Sequence, residues 1–450
     1  MMRLLHRIAG NLVVVAHARG QAEAAYRPAA RWQADRDSRI SATVGYAART
    51  VPWYRRLFEE RGIDPHGIRS PEALDEIPLL DKETVRRDPD AFVSRSWRGR
   101  RSVPFVTSGS TGEPLRVHHD LVSLLANMAY GERARKTRGL GQGRAPRIVS
   151  FSRESGTGDK VHAIYHRWTW VPRRPERIHG RIDRPFQEAI DLINRQRPDV
   201  ITGYGSFLEA LFRFVVANGI ELHRPERIGY FSDGMSPAGR QLIARELGVP
   251  ILSNYSAMES FKIGFSCEAE SGYHVHADIC HLRIVDENGV EVPAGESGEI
   301  VISNLLNRGS VLLNYRMGDL GRMAPDPCPC GRTFPLLAEL EGRKEDLLFL
   351  DADRVVHPRA LWTVFGRLPD IVQYQLVQHG RRTFELHIVT RNAASRRQMA
   401  GAAAAGMREL LGDVEIDVVA GEEPLSGPGG KVRPAISLCG PPRFWQLSER

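Results

Sequence analysis

Between residues 101 and 320, short β-branched or apolar runs alternate with segments of helical periodicity. That alternation constrains the fold more than any other feature of the chain. The runs lie at 104–107, 147–151, 199–202, 227–231 and 250–253. A helix is predicted over 206–218, where Leu208, Leu211, Phe212 and Val215 share one face, and another over 237–247. Strands followed by crossover helices imply an α/β domain with a mainly parallel sheet. After residue 270 the pattern changes, and 277–285, 291–292 and 298–303 read as antiparallel strands joined by turns such as Asn288-Gly289. Beyond 342, strands are predicted at 347–356, 372–378 and 384–390, with helices at 358–365 and 393–411. Residues 1–100 read as a helical lead-in broken by prolines, with Pro52 opening one helix and Asp81 capping another. The expected organisation is a large N-terminal domain, 1–341, carrying an antiparallel β subdomain, and a small α+β domain, 342–450.

Composition narrows the classes. A chain of 450 residues exceeds one ordinary domain, and five cysteines are too few for a disulfide scaffold. No apolar run approaches the ~18 residues of a membrane span. The net charge of +8 is 62 basic minus 54 acidic residues, and only six of the basic ones are lysines. Nucleic-acid binding is one reading of that charge. Acidic residues are interspersed throughout and no nucleic-acid motif accompanies it, so an arginine-biased composition is preferred. A lysine inside a motif therefore stands out. Residues 1–20 imitate a signal peptide, but His6, Asn11 and His17 interrupt the apolar stretch, and an amphipathic helix packing on the body is expected.

The segment Thr107-Ser108-Gly109-Ser110-Thr111-Gly112-Glu113-Pro114 follows an apolar strand. Its glycines expose backbone N–H groups and its hydroxyls add donors, a combination suited to polyphosphate. A surface Ser/Gly turn is the alternative reading. No Gly-Lys-Ser/Thr follows, so it is not a Walker A loop.

The ordering of that loop resembles the phosphate loop of adenylate-forming enzymes, the acyl-CoA synthetase superfamily, and four further segments follow in that superfamily's order. Asn254-Tyr255-Ser256-Ala257-Met258-Glu259 resembles a motif whose tyrosine stacks on adenine and whose glutamate helps hold Mg²⁺. Tyr315-Arg316-Met317-Gly318-Asp319 resembles one whose aspartate takes the ribose hydroxyls. Gly342-Arg343-Lys344-Glu345-Asp346 resembles the hinge between a large and a small mobile domain, with Arg343 on the nucleotide and Lys344 and Glu345 in the hinge. Pro428-Gly429-Gly430-Lys431-Val432-Arg433 resembles the segment with the catalytic lysine, Lys431. The stretch from Pro52-Trp53-Tyr54-Arg55 to Asp81-Lys82, with Gly203-Tyr204-Gly205-Ser206 and the Cys-x-Cys-Gly-Arg-Thr run at 328–333, is similar to phenylacetate–CoA ligase and its capsule-associated relatives. Departures are Met258 in place of a hydroxyl residue, Ser256 for glycine, Glu345 for aspartate and Asn314 for arginine.

Cys267, His274, Cys328 and Cys330 have the types and spacing of a structural Cys₃His zinc site, a feature of some members of that branch. His276 and Cys280 are alternative ligands, and four unrelated residues are the simpler reading. The resemblance implies ATP-dependent conversion of an aryl or arylacetic acid to an acyl-adenylate, with Glu259 and Lys431 catalytic. Transfer to CoA is the default, and a carrier-protein thiol or an amine is the alternative acceptor. Tyr204, Ser232, Gly234 and Ser253 are expected to line the acid pocket. A nucleotide-binding relic is the reading from a different class, motivated by Met258. Expected surroundings are the cytoplasm, with neither nucleic acid nor membrane as partner, and a homodimer left open.

Overall fold

The computed structural model describes residues 2–97, 102–107, 114–134, 145–152, 157–170, 176–351, 354–421, 423–425 and 432–439. They form two compact units, one of 1–144, 155–174 and 254–340, the other of 145–154, 175–253 and 341–450.

In the first unit the lead-in forms helices Met2–Ala18, Ala29–Thr50 and Pro52–Arg61. Pro52 stands in the first helical turn, where its missing N–H costs nothing, and Gly62 closes the helix with φ 64°. Asp81 caps Lys82–Arg87 as expected, accepting from the Thr84 amide at 2.6 Å. The lead-in is stitched to the antiparallel strands through Asn314. This residue is buried at φ 50°, a left-handed conformation that asparagine tolerates. Its carboxamide donates to the carbonyls of Leu74 at 2.7 Å and Ile77 at 2.6 Å. Leu80 then bonds on either side of Tyr315, giving to the Asn314 carbonyl and taking from the Arg316 amide.

Strands Cys280–Val285, Ser297–Asn304 and Tyr315–Met323 pair antiparallel, and Leu336–Arg343, Tyr273–Val275 and Gly264–Ser266 continue the order. A register shift between Glu299 and Val301 lies opposite Gly318, whose φ of 73° a side chain would resist. A separate hairpin pairs Ser102–Val106 with Arg116–Asp120.

The second unit contains the parallel sheet that the alternation implies. Its order runs Ile251–Tyr255, Arg227–Phe231, Val200–Tyr204, Arg147–Phe151, Glu176–Gly180. Helices Phe186–Gln196, Gly205–Ala217 and Pro237–Leu247 supply Ile190, Ile193, Leu208, Leu211, Phe212 and Ile243 to one core with Val149, Ile201 and Ile228. A four-stranded sheet follows, ordered Glu415–Gly421, Thr383–Thr390, Ile371–Gln378, Ala435–Ser437. Helix Arg396–Leu411 packs on it through Ala403, Met407 and Leu411.

The run 347–356, expected as one strand, is instead two short ones, Leu348–Phe349 and Val355–Val356, paired antiparallel. The predicted α/β class, with its antiparallel and α+β parts, is the observed one.

Candidate active site

The hairpin Ser102–Val106/Arg116–Asp120 brackets the phosphate-type loop. Ser108, Gly109, Ser110, Thr111 and Gly112 lie outside the described residues, as does Lys431. Thr107 is described and closes the base of the loop. Its amide donates to the Leu115 carbonyl and its hydroxyl accepts from the Leu115 amide, both at 2.9 Å.

On the second strand of that hairpin, His119 is fully buried between Phe105 and Phe261. Its Nε2 lies 2.7 Å from the carbonyl of Met258, which can only accept, so Nε2 carries the proton. Burial pushes this imidazole down to about 4, and it is neutral at pH 7. The bond ties the hairpin to the segment carrying Tyr255 and Glu259.

Two side-chain pairs join that segment to Tyr315–Met323. The Tyr255 hydroxyl donates to Asp319 Oδ2 at 2.7 Å, and the Tyr315 hydroxyl donates to Glu259 Oε1 at 3.3 Å. Asn304 fixes the backbone between them, donating to the Glu259 carbonyl at 2.9 Å. Glu259 is buried, and desolvation raises its carboxyl above the usual range. Its own amide and the Lys82 ammonium oppose that rise, while the Asp319 charge adds to it. Burial and the neighbouring Asp319 likewise hold the Tyr255 phenol far above its ordinary value. Thus Tyr255, Glu259 and Asp319, expected to act together, are assembled by hydrogen bonds. Lys82 was missing from the predicted site; its signal was its rarity, a lysine at the start of an aspartate-capped helix.

In the second unit, Tyr204 ends strand Val200–Tyr204, Ser232 and Gly234 follow the end of Arg227–Phe231, and Ser253 lies within Ile251–Tyr255; the carboxyl edge is where such sheets bind ligands. Ser232 has φ 75°, and the Ser253 hydroxyl donates to the Tyr230 carbonyl at 3.3 Å. Between them Asp233 caps helix Gly205–Ala217, accepting from the Gly205 amide and the Ser206 hydroxyl at 2.5 Å. A side chain at Gly205 would strike the Gly234 carbonyl, with Cβ only 2.5 Å away.

The hinge-type segment is held by ion pairs. Arg343 pairs with Glu345 at 3.0 Å, and Arg433 reaches back to Asp346 at 2.6 Å and to the Glu345 carbonyl at 3.2 Å. Burial pushes the Asp346 carboxyl up to about 6 against the lowering pull of Arg433. Lys344 forms the one-turn helix Lys344–Asp346 with its neighbours. Arg433 was missing from the predicted site, although it lies two residues from Lys431.

Cys267, His274, Cys328 and Cys330 converge in the first unit, their ligand atoms all within 4.8 Å of one another. The Cys267 and Cys328 sulfurs are 3.6 Å apart and unbonded, and the Cys330 sulfur is 3.2 Å from His274 Nε2. Tetrahedral zinc with ~2.3 Å sulfur bonds sets sulfurs roughly 3.7 Å apart, so the donor set fits that ion. His274 Nδ1 donates to the Phe334 carbonyl at 3.3 Å, which fixes Nε2 as the ligand nitrogen. The alternatives are otherwise engaged: His276 faces Arg133 at 3.2 Å, and Cys280 lies buried beside Ser260. The cluster also grips the lead-in, because Thr333 donates to the carbonyls of Ala25 and Arg27 and Arg332 stacks over Tyr26.

No family model matches the chain. Curated relatives named phenylacetate-coenzyme A ligase do. The one from Thermus thermophilus is 27% identical over 372 residues, covering 80% of each chain. The Escherichia coli one is 27% identical over 341 residues, covering 71% of this chain and 72% of its own. A solved 2-hydroxyisobutyryl-CoA ligase in its postadenylation state, holding an acyl-AMP, superimposes with TM-score 0.73 at 18% identity, covering 94% of this chain and 92% of that one. The resemblance to phenylacetate–CoA ligases stands, and the fold is that of adenylate-forming CoA ligases.

Proposed function

We propose that this chain is a ligase that activates a carboxylic acid with ATP and passes the acyl group to CoA. The substrate carboxylate attacks the α-phosphorus, the bond to the β-phosphate oxygen breaks, and pyrophosphate leaves. The CoA thiolate then attacks the acyl carbonyl and AMP departs. One observation carries this reading: two sequence motifs some sixty residues apart are joined by the Tyr255–Asp319 and Tyr315–Glu259 hydrogen bonds.

In this reading Asp319, steadied by Tyr255, takes the ribose hydroxyls and so sets the in-line geometry. The loop 107–112 cradles the departing phosphates and Lys431 meets the charge that develops on the α-phosphate. Glu259 would hold Mg²⁺, which supplies charge neutralisation at the phosphates. A buried carboxylate whose ionised form is penalised suits such a cation. Residues 342–450 act as a small domain turning about 343–346, and Arg343 contacts the nucleotide. The acid, of aryl or arylacetic type, lies against Tyr204, Ser232, Gly234 and Ser253. The cytoplasm, with its ATP and CoA, is the compartment this chemistry needs.

ATP–pyrophosphate exchange across a panel of acids tests the reading. Exchange with an aryl or arylacetic acid is expected, and ATP binding without exchange for any acid would overturn it. Zinc on Cys267, His274, Cys328 and Cys330 has a structural part, because protein atoms fill all four positions. About one zinc per chain is expected, and metal-free protein of unchanged stability would sink that assignment.

A further inference from the structure

The N-terminal helix Met2–Ala18 lies on the protein with its polarity inverted. From residue 4 onward its polar residues are turned away from solvent. His6 stacks on Trp168 with ring centres 4.4 Å apart, Arg7 donates to the His166 carbonyl at 3.3 Å, and His17 meets the edge of Tyr130. Gly10 is buried so tightly that a Cβ there would overlap the Trp168 carbonyl. From residue 4 to the helix end, every exposed residue is apolar: Leu4, Leu5, Ile8, Ala9, Leu12, Val15 and Ala16. The five large ones are 42% to 66% exposed. At about 100° per residue they fall within one ~100° arc, a stripe about 17 Å long.

Such a stripe is a binding surface or a liability. We propose that it docks the protein on an anionic lipid surface, the helix lying in the plane of the interface. Two observations favour lipid over a second copy of the chain. The exposed stripe offers on the order of 500 Å², short of the ~800 Å² that each partner of a stable interface buries. Charge decides the rest. Arg3 lies near the helix start and the exposed Arg19 just beyond its end, and no acidic residue precedes Glu23. Basic ends flanking an apolar face complement anionic headgroups. Among the described residues no helix is long and apolar enough to cross a membrane, and the sequence reading expects no membrane partner; a helix lying on the surface departs from that expectation without requiring a span. The proposal stands apart from the catalytic reading.

The test is co-sedimentation of the full chain with vesicles of phosphatidylcholine alone or mixed with phosphatidylglycerol. The mixed vesicles are expected to bind it, and raised salt to weaken that binding. Leu5→Glu/Leu12→Glu should cut the partition coefficient at least tenfold with an unchanged melting temperature, since both side chains face solvent. Leu4→Gln/Val15→Gln repeats the test without new charge and should act in the same direction. Failure of the wild type to bind mixed vesicles, or equal binding by both double variants, overturns the proposal. A wild-type dimer that the same substitutions convert to a monomer, without vesicle binding, overturns it in favour of self-association.

Discussion

Two buried carboxylates, one in each unit, are treated in opposite ways. Glu259 is met by a neutral hydroxyl, that of Tyr315, and Lys82 acts on it as a nearby charge. Asp346 is met directly by a guanidinium, that of Arg433. Burial raises both, yet only Asp346 comes with a hydrogen-bonded cation of its own. A carboxylate short of counter-charge is suited to a cation from solution, whereas one already paired serves as a tether. The first fits a site that turns over and the second a joint that must hold its segment in place.

The largest effect is expected at the segment the tether controls. Lys431 lies two residues before Arg433, and we predict that Lys431→Ala lowers acid-dependent ATP–pyrophosphate exchange by a hundredfold or more, about 3 kcal/mol. Thioester formation from synthetic acyl-adenylate should stay within a few-fold. Equal loss in both half-reactions would mark the lysine as structural.

Glu259→Gln sharpens the contrast from the other side. Exchange should fall by roughly thirtyfold, because a carboxamide holds Mg²⁺ poorly. Stability of the metal-free protein should be unchanged or higher at pH 8, since the folded-state pKa is raised and the ionised form is the costly one. A clear loss of melting temperature at pH 8 would show that the carboxylate is paired after all.

Arg433→Ala should do the reverse and cost stability, about 2 kcal/mol at pH 8, by leaving a buried carboxylate alone. The pH dependence has a definite sign. The folded pKa of Asp346, about 6, lies above its unfolded value near 4, so its contribution is fully present below pH 4 and is lost as pH rises through 6. Losing the arginine raises that folded pKa further, so the cost should be greatest at pH 8 and shrink towards pH 5. Denaturant titrations at both pH values check this; a pH-independent cost would mean that Arg433 acts by packing.

Much of this was legible in the sequence where side chains are buried on a regular period. Strands Arg147–Phe151 and Arg227–Phe231 and helix Pro237–Leu247 coincide with the predicted ranges. Glu176–Gly180 escaped notice because it is a sheet-edge strand with a largely polar, exposed sequence. Helix Thr157–Trp168 escaped because none of its residues is buried. Tyr315–Met323 read as a motif and not as a strand, since Gly318 and Gly321 break its alternation. The cysteine cluster and the Tyr255, Glu259 and Asp319 set could be picked out by residue type and order. Their connections could not: His119 and Met258 are 139 positions apart, and Arg433 and Asp346 are 87. Nor could the part played by Asn314, a departure from the pattern the chain resembles that the structure explains by its left-handed backbone and its two carbonyl partners.

The smallest predicted effect bears on the departure that the structure leaves in place. In the pattern this chain resembles, a hydroxyl stands at Met258 and donates to the α-phosphate. Its absence costs roughly 1.5–3 kcal/mol if nothing replaces it. The position is well suited to a substitution, because the segment is held by the Met258 carbonyl on His119 and the Glu259 carbonyl on Asn304. Neither bond involves the methionine side chain, so Met258→Thr should change the chemistry at this point while leaving Tyr255 and Glu259 where they are. We predict that exchange speeds up by about tenfold with the preferred acid, with little change in the melting temperature. A slower rate would mean that the thioether packs against an apolar acid, which the new hydroxyl would then face. The same assay with a smaller acid separates the two cases. A missing phosphate contact should be repaired for every acid, whereas a packing contact should matter only for acids large enough to reach the methionine.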